Sequence, residues 1–239
     1  GFEIPESISF YNELLQDAGY YTSNCSKTDY NLRGPKGRNP KEYWNYSGGD
    51  YAGTWKKRKQ DQPFFTVYNI GDSHESRAFG DHKDESVDPQ KMILAPYHPD
   101  LPEMRNTYAK YSSAISKMDS LVGQAVENLK NDNLYEDTIV VYNSDHGGVL
   151  ARSKRFLYSS GIHCPLIVRI PEKWKHLYPE GKKPGSTIDR VVSFIDMPKT
   201  WLSLTGAKVT ENFQGRIFLG PDTEPEPRYL SLIHISEPT

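Results

Sequence analysis

Four short segments of this chain carry side chains that could share one piece of chemistry. Ser144-Asp145-His146-Gly147-Gly148 places an acid beside an imidazole, a pairing that suits a divalent cation. His74-Glu75 and Lys27/Asp29 are two further polar clusters, and Arg152-Ser153-Lys154-Arg155 adds a run of cations just downstream of Asp145. Ammonium and guanidinium groups near a bound cation suit a tetrahedral oxyanion. The combination points to sulfate or phosphate ester chemistry. Plainer readings stand beside this one: Asp145 opening a turn, His74 capping a strand, Lys27 and Lys154 merely solvated. Glu75 and Arg77 read as an ion pair that shapes the pocket. Arg155 either pairs with an acid or meets the substrate.

These clusters need elements to position them. The β-branched run Thr138 to Asn143 predicts a strand buried on both faces, leading straight into Asp145. Phe64 to Ile70 predicts a second buried strand leading to His74, Tyr20-Tyr21-Thr22 a short one leading to Lys27, and Pro165 to Ile170 a further one. Helices are expected over residues 6–19, 103–131 and 196–204, with Gly19 and Gly206 as stops. Alternating strands and helices predict an α/β fold with a mostly parallel sheet flanked by helices. In such sheets ligands bind beyond the carboxyl ends of the strands, so the clusters are expected to meet in one cleft. Residues 32–62 show no period and read as a loop. Tyr43, Trp44, Tyr46, Tyr51 and Trp55 within it either form a sugar-stacking wall or pack the loop.

Composition narrows the function classes. The 239 residues carry 29 Lys and Arg against 31 Asp and Glu, a formal charge of -2, which argues against a nucleic-acid partner. No apolar run approaches the length of a membrane span. Two cysteines exclude a disulfide framework, and Cys164 reads as a small buried hydrophobe. Asn24-Cys25-Ser26 and Asn45-Tyr46-Ser47 match the glycosylation acceptor pattern, and His163 reads as structural. Residues 231–239 continue no pattern and read as a tail of uncertain origin that could be non-native. The oligomeric state is open.

Taken in order, Lys27-Thr28-Asp29-Tyr30-Asn31, Pro63-Phe64-Phe65, His74-Glu75-Ser76-Arg77, Ser144 to Gly148, Lys154 to Tyr158, Gly161-Ile162 and Pro165 to Val168 resemble the sulfatase family. The likeness is to its heparan N-sulfatase-like and arylsulfatase branches, within the alkaline-phosphatase superfamily. It continues through Val192 to Gly206 and Gln214-Gly215-Arg216 and covers the chain to about Tyr229. The resemblance implies an alkaline-phosphatase-like fold, incomplete at its amino end, with residues 1–230 as a partial catalytic domain. It further implies a sulfuric ester or sulfamate hydrolase acting on a sulfated carbohydrate and exported to the periplasm, lysosome or extracellular space. Asp145 would be a calcium ligand with His146 beside it. Lys154 would bind the sulfate group and the leaving oxygen, and Lys27 matches the lysine of a Gly-Lys-x-His segment. His74 would give a proton to the leaving group. Asp29, Glu75 and Arg155 would face the substrate.

Two departures accompany the likeness. Asp29 stands where the family often has a catalytic histidine. The family's formylglycine, made from Cys or Ser in a Cys/Ser-x-Pro-Ser/Ala-Arg segment, has no counterpart here, and Cys25 is followed by Ser26-Lys27-Thr28. The chain therefore reads as the carboxyl part of a catalytic domain, inactive as it stands and poor at holding calcium. Two rivals remain open at this point. One is a phosphodiesterase or phosphatase of the same superfamily; the other is a non-catalytic glycan-binding module on the same scaffold.

Overall fold

The structure, a computed structural model, describes residues 2–28, 30–34, 37–51, 54–78, 83–84 and 86–227. Along the chain run β1 (Phe2–Glu3), α1 (Tyr11–Asp17), β2 (Tyr21–Cys25), β3 (Leu32–Arg33), β4 (Tyr46–Gly48), β5 (Phe64–Tyr68), α2 (Pro102–Asn131), β6 (Val140–Asn143), α3 (Ser159–Ile162), β7 (Leu166–Arg169) and α4 (Asp196–Thr205). They fall into two compact units, Gly1–Asn69 with Glu172–Thr239, and Ile70–Pro171.

In the first unit β1 pairs in parallel with β3, and a three-stranded parallel sheet has the order β4-β2-β5. Ser23 lies opposite both Tyr46 and Thr66, so β2 is the central strand. Its sequence is polar, yet Thr22, Ser23 and Asn24 are buried. Burial is tolerated because each polar group finds a partner. Ser23 Oγ lies 2.7 Å from Thr54 Oγ1 and 2.9 Å from Thr66 Oγ1, and the Thr22 N–H donates to Asn45 Oδ1 at 2.8 Å. On the sheet α1 packs with α4 through Leu14, Leu15, Leu202 and Ala207, with Tyr11, Tyr20, Phe65 and Phe213 around them. The helix α1 is shorter than expected. Its first turn is closed by Glu13, whose carboxylate accepts the Phe10 N–H at 3.1 Å, and the chain breaks away at Gly19 with φ +91°. The helix α4 ends on Gly206 in the left-handed region, as its sequence position predicts.

The stretch 32–62 is more ordered than its lack of period suggests: it holds β3, β4 and two 3-10 turns, Pro40–Tyr43 and Thr54–Lys57. Elements of two to four residues are too short to show periodicity. Tyr43, Trp44 and Trp55 are buried, which settles the open reading of this segment for these three rings: they pack the loop.

The second unit is built on the 30-residue α2, with Pro102 opening its first turn. Against it lies the β6–β7 ribbon, and the Tyr142 hydroxyl reaches Met118 Sδ at 3.8 Å. This pair is antiparallel, with Val140 opposite Arg169 and Asn143 opposite Leu166, unlike the parallel pairing expected for it. β6 is also half-buried rather than covered on both faces, because β7 is its one strand partner among the described residues. The apolar runs therefore marked strands correctly but not depth: polar β2 is the buried strand, and apolar β6 the half-exposed one. Cys164 is half-buried, correcting its reading as a buried hydrophobe, and His163 is exposed.

Candidate active site

Lys27 follows the carboxyl end of β2, on the same sheet edge where β5 ends at Tyr68 and leads into Asn69. A ladder of side chains ties the two exits. Asn69 Nδ2 donates to Asn24 Oδ1 at 2.7 Å, and Asn24 Nδ2 donates to the Lys27 carbonyl at 2.6 Å. Ser26, at φ +76°, donates its hydroxyl to the Asn69 carbonyl at 3.1 Å, and the Tyr51 hydroxyl closes on both at 2.6 and 2.8 Å. A non-glycine residue at such a φ is uncommon, and surrounding bonds must hold it there. Lys27 is left with its ammonium exposed and paired with no carboxylate among the described residues. Asn24 is buried with both ends of its amide bonded, so it is no glycan acceptor. Asp29 lies outside the described residues.

The second unit brings together the other three clusters. Two lysines of α2, seven residues apart and so on one face, grip the turn that carries His74: Lys117 pairs with Asp72 at 2.7 Å, and Lys110 Nζ donates to the Ala78 carbonyl at 2.9 Å. His74 caps a 3-10 turn, Glu75–Arg77, by accepting the Ser76 N–H on Nδ1 at 3.2 Å. A nitrogen that accepts is unprotonated, so the neutral ring carries its proton on Nε2. Glu75 turns away from Arg77 and takes Arg155 instead, in a two-pronged pair at 2.6 and 2.7 Å. Lys154 Nζ joins the same carboxylate at 3.2 Å. The expected Glu75–Arg77 pair is thus replaced by a clamp across the fold. Bonds from Arg155 first, and then Lys154, hold the Glu75 carboxyl below the usual carboxylate range, against a smaller opposing effect of burial.

The Asp145 and Lys154 loops are zipped together by backbone. The Lys154 N–H donates to the Gly148 carbonyl at 2.9 Å, and the Gly147 N–H to the Gly161 carbonyl at 2.8 Å. A Cβ on Gly147 would sit 1.8 Å from the Ser160 carbonyl oxygen, and one on Gly161 2.3 Å from that of Ser153. Only glycine allows this approach. Arg152 and Arg155 take φ of +61° and +74° as the loop turns. His98, which the sequence reading passed over, supports this loop: its Nε2 donates to the Ala151 carbonyl at 2.8 Å, and its Nδ1 meets the Tyr108 hydroxyl at 2.7 Å. Its flanking prolines, Pro96 and Pro99, were the available signal of a fixed turn.

Asp145 is 73% exposed, with its carboxylate 3.7 Å from His146 Nε2, while His146 Nδ1 donates to the Gly147 carbonyl at 2.6 Å. Calcium takes about 6–8 oxygen ligands. Among the described residues no three His, Cys, Asp or Glu side chains converge as metal ligands. Asp145 offers one carboxylate and His146 a nitrogen, so these residues do not by themselves fit a calcium ion. What the unit does hold is an ammonium and a guanidinium on one carboxylate, next in sequence to an imidazole with an outward N–H. Such a group can receive an anion and give a proton.

Residues 9–207 match the family model described as Sulfatase. An ulvan-active sulfatase of Formosa agariphila is 33% identical over 262 residues, covering 95% of this chain and 41% of that protein. Arylsulfatase K of Homo sapiens is 29% identical over 126 residues, 51% of this chain and 22% of the relative. The chain thus spans less than half the length of these curated relatives. Among solved structures, a Bacteroides fragilis protein assigned to the sulfatases aligns with TM-score 0.64 at 19% identity, covering 90% of this chain and 60% of that one. A protein solved with its substrate D-glucosamine-2-N,6-O-disulfate aligns with TM-score 0.60 at 15% identity, covering 93% and 66%. These likenesses show a common fold. No helix among the described residues is long and apolar enough to cross a membrane.

Proposed function

The chain belongs to the sulfatase family, and from that premise we propose that its protein hydrolyses the sulfate esters or sulfamates of a carbohydrate. The observation that carries this reading is the Glu75 clamp: one carboxylate orders two cations, Lys154 and Arg155, and leaves net positive charge beside His74. Lys154 takes the sulfate oxygens. Protonated as imidazolium, with its Nδ1–H on Ser76 Oγ 3.0 Å away, His74 gives the Nε2 proton to the oxygen or nitrogen that leaves when its bond to sulfur breaks, and is left as a neutral ring. Lys27, an exposed cation of the first unit, is by itself a proposed anion contact. Arg155 serves the substrate through its exposed fork. Glu75, bound to both cations, holds them rather than touching an anion itself.

The nucleophile is proposed to be a formylglycine outside these 239 residues. Cys25 does not serve: it is buried, its thiol donates to the Asp50 carbonyl at 3.2 Å, and burial pushes its pKa up to about 11. A thiol this far above neutrality is almost wholly protonated and inert. Asp145, with His146 beside it, is the proposed calcium contact. The described residues do not complete a shell for the ion, so no step here runs through it. Residues 1–230 are read as part of one catalytic domain, and export of the protein is part of the proposal. Sulfated carbohydrate as the substrate class draws support from the relative named for its activity on ulvan and from the disulfated glucosamine bound by one structural neighbour.

Ion chromatography of the products separates this reading from its rivals. The protein carrying this chain is incubated with ulvan oligosaccharides and, separately, with an aryl phosphodiester. Release of inorganic sulfate from the first supports a sulfatase. Faster cleavage of the phosphodiester supports the phosphodiesterase, and glycan binding without turnover of either supports the binding module.

A further inference from the structure

The loop that carries Lys154 also carries an exposed group that the clamp does not use. Phe156 and Tyr158 are 51% and 50% exposed, with nearly parallel rings whose centers lie 6.2 Å apart. The guanidinium of Arg152 lies 4.3 Å over the Tyr158 ring, and Tyr97, 47% exposed, approaches it from another side at 4.8 Å. Stacking fixes the plane of a guanidinium and leaves its N–H edge available. Arg152 pairs with no carboxylate among the described residues, whereas its near neighbor Arg155 is paired with Glu75. The backbone beneath is held in place: Ser160 Oγ donates to the Arg152 carbonyl at 2.6 Å, and His98 fastens Ala151.

Exposed aromatic rings around an unpaired, oriented cation match a ligand that is apolar on one face and anionic at its edge. A pyranose with a sulfate or carboxylate substituent has this form, its C–H face resting on the rings and its charged group on the guanidinium. We propose that Arg152, Phe156 and Tyr158, with Tyr97 behind, form a carbohydrate subsite that binds an anionic sugar beside the one being hydrolysed. The proposal rests on the sulfatase reading for its ligand class. It moves the sugar-binding wall from the segment around Trp44 and Trp55, where those rings are buried, to the loop following Lys154.

Calorimetric titration of the protein carrying this chain tests the subsite, with ulvan oligosaccharides and inorganic sulfate as separate probes. Tyr158→Ala and Arg152→Met are each expected to weaken oligosaccharide binding about tenfold, as loss of one anchoring contact does, and to leave sulfate binding unchanged. Tyr158→Phe keeps the ring and should keep the affinity. Lys154→Met should weaken both probes. Oligosaccharide affinity unmoved by Tyr158→Ala and Arg152→Met overturns the subsite, as does an equal loss of inorganic sulfate. Failure of the wild type to bind the oligosaccharide also overturns it, while sulfate binding that depends on Lys154 would still uphold the anion site. Hydroxyl-radical footprinting that finds Phe156 and Tyr158 shielded in the sugar-free protein would assign the rings to another part of the protein and reject the proposal.

Discussion

Glu75 sets the charge of the candidate site: one carboxylate faces one ammonium and one guanidinium, so the group is net cationic while Glu75 is ionised. Its carboxyl is held below the ordinary range, which fixes the sign of a pH effect. A group whose folded pKa is depressed stabilises the fold above its unfolded pKa, near 4.3 for glutamate, and loses that contribution as pH falls through the folded value. Melting curves of wild type and Glu75→Gln should therefore differ at pH 7, draw together as the pH falls below the ordinary glutamate range, and converge once it passes the depressed folded value; a gap that persists in strong acid would show that the clamp's value is not ionic. Asn24 gives a second expectation. Asn24→Ala removes the two bonds made by a buried amide, leaving the Lys27 carbonyl without its donor while Asn69 Nδ2 keeps the Cys25 carbonyl, at a cost of about 1–3 kcal/mol in urea unfolding. A change within experimental error would mean that water replaces the amide. The sequence displayed the chemistry-bearing residues but not their partners. Arg77 lay two positions from Glu75, whereas the actual partner, Arg155, is 80 positions away and cannot be found by local spacing.

At the scale of elements, glycines divide into those that permit close contact and those that do not. Gly147→Ala forces a Cβ to within 1.8 Å of the Ser160 carbonyl and should destabilise the second unit by about 3 kcal/mol, as overpacking does. Gly123, inside α2, has open space around its Cβ position, so Gly123→Ala should stabilise by about 1 kcal/mol through helix propensity. Denaturant midpoints of both variants check the pair, and Gly147→Ala matching wild type would dismiss the zipped loops. The long α2 was legible because its apolar residues recur at steps of three and four, and α4 because Asp196 and Gly206 mark its ends. The depth of the strands was not legible. β2 is buried through hydroxyl and amide partners on other segments, Thr54, Thr66 and Asn69, and none of these pairings leaves a mark in hydrophobic pattern.

The molecule's near-neutral charge of -2 hides a local concentration of cations on the loop from Arg152 to Arg155, and this contrast is what a whole-chain average conceals. The family and the α/β class were legible, because ordered motifs at strand exits survive where any single one is weak. The pairing of β6 with β7 was not legible, since within a fold expected to be mostly parallel they run antiparallel; the clusters from His74 onward gather within Ile70–Pro171, and Lys27 belongs to the other unit. The central claim is that the cation held by Glu75 and the imidazole of His74 act on one sulfate group. It is tested most directly by sulfate release from ulvan oligosaccharides by the protein carrying this chain, compared across wild type, Lys154→Met and His74→Ala, with folding verified by circular dichroism. Each substitution is expected to lower kcat/KM by at least about a hundredfold. Folded variants that release sulfate at the wild-type rate would contradict the account.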